Sequence, residues 1–146
     1  MIIHNITKPF GDFAINRFFW DCLRDVQTPY DFVAGMSLTF EQANLDFSQY
    51  WMGRFAEIGD EETRQLLSEV YTDEIRHVRH GLHWFRDWKP PDTTDFDAHS
   101  NALSMPLSMS RAKGRVFDAH GRVRAGLHPE YIEALRVFER SRGTPP

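Results

Sequence analysis

The feature that most constrains this chain is a single Gly59-Asp60 break between two long stretches free of internal proline. Upstream of it, Thr28 is placed to cap a helix and Pro29 suits the first helical position, where a missing N–H costs nothing. Asp31 can answer the Thr28 backbone in a capping box. No proline follows until Pro90, so a helix is predicted from this cap to about Ile58. Asp60 can cap a second helix, with Glu61 and Glu62 in the first turn, where negative charge favours the helix dipole. Lys89-Pro90-Pro91 stops that helix near Trp88. Two helices of nearly thirty residues with almost no loop between them must pack antiparallel. The expectation is an all-α fold built on a helical hairpin over residues 28–88.

The rest of the chain reads as attachments to that hairpin within one domain, 1–146. Residues 1–11 form a leading segment broken by Pro9 and Gly11. Asp12 can then cap a short helix, with Ile15, Phe18, Phe19, Cys22, Leu23 and Val26 at helical spacing. Residues 89–110, rich in Asp, Ser and Pro and without a period, are expected to be a loop. A helical tail over 111–141 follows: a short basic helix from Arg111 to about His120, stopped by Gly121, then a helix from Pro129 to about Arg140. Tyr131, Leu135 and Phe138 face inward in the last of these, and Gly143-Thr144-Pro145-Pro146 frays. Strand signals are essentially absent.

Composition removes several classes of function. No apolar run is long enough to span a membrane and no signal-peptide core is visible, so a soluble cytoplasmic protein is expected. The lone Cys22 excludes an intramolecular disulfide and a cysteine metal site, and reads as a buried thiol. A net charge of −4 argues against nucleic acid as the main partner. Arg111, Lys113, Arg115, Arg122 and Arg124, beside Asp118, read as a solvated helix face. The aromatic share, 14%, is large enough to supply both a core and a subunit interface.

Chemistry concentrates at Glu74-Ile75-Arg76-His77. Residues three apart share a helix face, so this carboxylate and imidazole can reach one metal ion. Glu41 lies eighteen residues before Gly59 and His77 eighteen after it. At about 1.5 Å per residue both stand roughly 27 Å from the turn, level across the hairpin. Glu41 lies in a row with Ala34, Leu38, Leu45 and Met52, and Glu74 and His77 in a row with Val70, Gly81 and Trp84. Both rows point to the core. Two buried carboxylates are costly without a cation between them, and a divalent metal answers that requirement. The competing reading is that Glu41 pairs with an arginine while Glu74 and His77 lie on a wet face, as Arg76, Arg79 and Arg86 must. His80 and His83 read as surface residues, and Tyr71 as a core aromatic.

Several blocks resemble the second-hairpin signature of an uncharacterised bacterial ferritin-like family: Gly59-Asp60-Glu61, Asp73-Glu74-Ile75-Arg76-His77-Val78, Gly81 and Trp84-Phe85-Arg86. Glu41-Gln42-Ala43-Asn44-Leu45-Asp46 resembles its preceding ligand helix, Phe10-Gly11-Asp12-Phe13 the segment leading in, and Ala125-Gly126-Leu127 its tail. That family is distantly similar to tRNA-modifying di-iron hydroxylases. The resemblance implies a di-metal carboxylate protein with Glu41, Glu74 and His77 as ligands to iron, as a di-iron or Fe/Mn pair. It also implies an oxidase or oxygenase acting on a small molecule. The family's first hairpin has no counterpart here, since the 27 residues before Thr28 contain no Glu. A homodimer, a partner chain carrying the other hairpin, or a truncated remnant would each account for that. A metal-storage protein and a non-catalytic helical dimerisation module are the alternatives to an enzyme.

Overall fold

Every start and stop signal around the hairpin is realised in the computed structural model, which describes residues 17–139. Thr28 caps α2 (Pro29–Gly35): its hydroxyl accepts from the Asp31 amide, and the Asp31 carboxylate accepts the Thr28 amide in return. The rod continues through a π-helical segment (Met36–Glu41) into α3 (Gln42–Glu57). A π turn takes in one more residue than an α turn, which shifts the phase of everything after it. The Ala34 carbonyl at its start accepts the Thr39 hydroxyl at 2.8 Å and faces His99 Nε2 at 3.0 Å, so side chains help to satisfy the widened backbone.

Gly59 turns the chain in a left-handed conformation, φ +74, that side-chain-bearing residues rarely adopt. Asp60 then caps α4 (Glu61–Trp88), accepting from the Thr63 amide and hydroxyl. These two bonds hold the Asp60 carboxyl below its ordinary pKa. The arms pack antiparallel along α3 and α4, and the π-helical segment lies tightly against α4 where Gly81 meets Ser37. A Cβ at Gly81 would stand 2.2 Å from that of Ser37.

The C-terminal elements cover one flank of the hairpin only. Leu38, Leu45, Ile75, Val78, Leu82 and Phe85 form the hairpin's share of the core, and Ala98, Met109, Ala112, Leu127, Ile132 and Leu135 close over them. The short α1 (Phe18–Leu23) lies against the start of the rod, with the Phe19 ring 5.0 Å from that of Phe40. Trp51 and Ile58 on one arm and Leu66, Val70, Trp84 and Trp88 on the other stay exposed, repeating at helical spacing, while the partly exposed Phe47 ring lies beside Gly114 of the tail.

The expected boundaries change beyond residue 88. The loop expected over 89–110 contains α5 (Asp95–Ala102), capped by Thr94 with Asp97. A 3-10 turn (Met109–Ala112) follows. Instead of a basic helix from Arg111 to His120, α6 (Ala119–Ala125) begins where Asp118 caps the Gly121 amide and ends at Gly126, φ +94. Gly121 is therefore not a stop: its bare Cα faces the Tyr71 hydroxyl, 2.8 Å from where a Cβ would sit. The last helix, α7 (Pro129–Val137), closes before Phe138. Cys22 is half-buried and not enclosed, and its partial burial pushes the thiol pKa up. The leading residues through Asn16, with Asp12 and Ile15, and the closing residues from Arg140 lie outside the described part.

Candidate metal centre

Glu41 ends the π-helical segment, and Glu74 and His77 stand one turn apart midway along α4. Equal distance from the Gly59 turn brings the three together across the hairpin. One donor atom from each, two carboxylate oxygens and an imidazole nitrogen, lies within 4.8 Å of the others. His77 Nδ1 stands 3.3 Å from Glu74 Oε2, and the other Glu74 oxygen accepts the Asn44 amide at 2.8 Å. Glu41 has no hydrogen bond or ion pair with another described residue.

The donor types fit a divalent ion. Imidazole and carboxylate suit iron, manganese or zinc, with metal–ligand distances of about 2.0–2.2 Å. Two donors on one ion then stand at most about 4.4 Å apart, so small side-chain rotations close this cluster around a cation. No bound group is needed to hold it open, because both oxygens of Glu74 already have neighbours from the chain itself.

One expectation is corrected by the position of the cluster. It lies on the open flank of the hairpin and not in the core: the Glu74 side chain is 13% exposed and that of His77 57%. Val70 and Trp84, expected to point inward with them, are exposed as well. The cost of burying unpaired carboxylates is correspondingly smaller here, and the case for a metal rests on convergence of donors. The row of Glu41 is as expected, with Ala34, Leu38 and Leu45 fully buried.

The neighbouring candidates separate cleanly. His80 and His83 are exposed and pack on the Trp84 ring, outside the cluster. Tyr71 is a core aromatic whose hydroxyl donates to Asp118 at 2.7 Å, and desolvation first and that acceptor second raise its pKa. Arg76 pairs with Asp73, and Arg86 with Asp95. A cleft of 510 Å³ lies elsewhere, between Lys89, Phe96, His128 and Tyr131. It is also lined by Asp95, Asp97 and Glu130, but among the described residues these do not converge with His128 as Glu41, Glu74 and His77 do.

The basic stretch holds the largest departure. Arg122 is not on a solvated face: it is fully buried against Asp46 and stacks on the Phe117 ring at 4.1 Å. Lys113 donates to the carbonyls of Arg136 and Phe138 at the end of α7. A second buried chain runs from Thr39 through His99 and Tyr131 to Gln42. Nothing local in the sequence signals the burial of Arg122, because the acid it meets lies 76 residues away.

Fold and cluster together define an all-α protein built on a long helical hairpin, with two carboxylates and an imidazole gathered across its arms. Among the described residues no helix is long and apolar enough to cross a membrane. The chain belongs to the family described as "Protein of unknown function (DUF455)", which it matches over residues 2–133. No curated protein and no solved structure matches it.

Proposed function

We propose that Glu41, Glu74 and His77 bind a divalent metal and that this hairpin is half of a ferritin-like four-helix di-metal carboxylate centre. The observation that carries the reading is the level placement of one carboxylate on the rod against Glu74 and His77 on the opposite arm, all within 4.8 Å. In ferritin-like proteins two helices each supply a Glu and two each supply Glu-x-x-His; this hairpin has one of each. The exposed flank supports completion by a second hairpin, from another copy of the chain or a partner. When bound, a di-iron or Fe/Mn pair would supply redox chemistry towards O₂ or peroxide, giving an oxidoreductase with a small-molecule substrate. In that setting Glu41, which no other described residue holds, would be a ligand alongside Glu74 and His77.

Metal analysis of protein purified under iron supplementation, combined with light scattering, tests this. The expected result is one metal pair per two hairpins, lost in Glu41→Ala. Metal-free wild-type protein, or binding unchanged by Glu41→Ala, removes the reading.

A second reading has its own observation. The exposed Trp51, Leu66, Val70, Trp84 and Trp88 also suit a helical interaction module with no metal. A dimer whose melting ignores chelator favours that module, because metal bound only to the folded state raises its stability.

A further inference from the structure

We propose that Asn44 is a positioning residue for the metal centre, dividing the two oxygens of Glu74 between a protein hydrogen bond and the ion; this rests on the metal-binding reading above. Asn44 stands three residues beyond Glu41 on the rod and reaches across the hairpin. Its Nδ2 donates to Glu74 Oε1 at 2.8 Å, while Oε2 lies 3.3 Å from His77 Nδ1. Only the amide nitrogen can donate to a carboxylate, so the contact itself sets which way the amide points. With Oε1 taken, Oε2 and Nδ1 are the pair of Glu74 and His77 atoms presented together. Glu74 is thereby a ligand through one oxygen.

The residue type fits the task. A lysine or arginine at this place would also hold Glu74, but its positive charge would compete with the cation for the carboxylate. A neutral amide orients the oxygen and leaves the negative charge available. Asparagine in mid-helix is a poor helix former, because its side chain competes with the backbone for hydrogen bonds. That local disadvantage at a half-buried position within α3 is offset here by a bond that ties the two arms together at the height of the cluster. Glu41, which no described residue holds, is left as the carboxylate that adapts to the ion.

Outer hydrogen-bond partners of metal ligands typically change metal affinity by about 10- to 100-fold when removed. The test is a titration of the metal-free full chain with Co(II), read by visible absorption, which reports coordination geometry as well as occupancy. Asn44→Ala should weaken Co(II) binding by about 10- to 100-fold and alter the spectrum at saturation, since a released Glu74 can chelate through both oxygens. Asn44→Gln, which keeps the amide, should recover part of the affinity and move the spectrum back towards wild type. A merely structural role would lower the metal-free melting temperature and leave the saturated spectrum unchanged. Asn44→Ala with wild-type affinity and spectrum overturns the assignment while leaving the metal centre standing. A wild-type chain that takes up no Co(II) removes both.

Discussion

Asp46 and Arg122 meet fork to fork in the core, with Nη1 2.6 Å from Oδ1 and Nη2 2.9 Å from Oδ2, and neither side chain exposed. The carboxylate also accepts the backbone amides of Gly114 and Asp118, each at 2.7 Å. The guanidinium reaches the carbonyls of Ala112 and Asp118 as well. One buried pair thus fastens α6 and the segment before it to α3.

Removing one member of this pair leaves the other charge buried without its counterion. Arg122→Ala is expected to cost about 3–5 kcal/mol, and Asp46→Ala about as much. The double variant Asp46→Leu with Arg122→Met should cost less than the sum of the two alanine variants, because no charge is stranded. Urea unfolding of the singles and the double measures this. Singles within 1 kcal/mol of wild type, roughly the value of an exposed pair, would mean that the fork is not holding the tail.

The contact between Gly81 and Ser37 sets how closely the arms approach. Gly81→Ala places a methyl carbon 2.2 Å from Ser37 Cβ, with Ser37 Oγ at 2.5 Å. The helices must separate locally, at an expected cost of about 1–3 kcal/mol. Ser37→Gly removes both obstructing atoms, so the double variant should regain most of that loss despite the helix penalty of a second glycine. Failure of the second change to restore stability would show that the crossing is not set by this pair.

His99 makes the fold sensitive to acid. It is buried between the Ala34 carbonyl, the Thr39 hydroxyl and the Tyr131 hydroxyl, and desolvation pulls its pKa from 6.5 to about 4. Above pH 6.5 the ring is neutral both folded and unfolded, so it contributes no pH dependence. As pH falls below 6.5 the unfolded chain takes up a proton that the folded chain refuses, and stability drops until the folded ring titrates near pH 4. The full gap is worth about 3 kcal/mol. Unfolding free energies measured across this window should fall less steeply in His99→Gln than in wild type. Parallel slopes would place the acid sensitivity elsewhere.

How much of this was legible depended on the range of the interaction that decides each feature. The hairpin was readable because its signals are local: Thr28 with Asp31, Gly59, and Asp60 with Thr63 all act within four residues. The level placement of Glu41 with His77 followed from helical rise alone. α5 was missed because only Ala98 and His99 are buried in its eight residues, too few to make a period. Its Thr94–Asp97 cap is local, but no apolar period follows it to mark a helix. The burial of Arg122 depends on an acid 76 residues away, which no local window contains. The exposure of Val70 and Trp84 turns on which flank the tail covers, and that is settled by long-range packing.

His77 separates metal binding from folding more cleanly than either carboxylate. Its side chain is 57% exposed and it meets Glu74, three residues away. Replacing it should therefore leave the metal-free fold within about 0.5 kcal/mol of wild type, as for ordinary surface changes. If the imidazole is a ligand, the same replacement removes the stabilisation that metal gives. A site saturated at 100 times its dissociation constant adds about 2.7 kcal/mol to the folded state. Thermal melts with and without excess Mn(II) should show that increment in wild type and in His80→Ala, whose ring packs on Trp84 outside the cluster. The increment should vanish in His77→Ala. His77→Ala retaining the full Mn(II) increment would place the ion on other residues, because an exposed imidazole one turn from Glu74 has no other route to the metal's contribution.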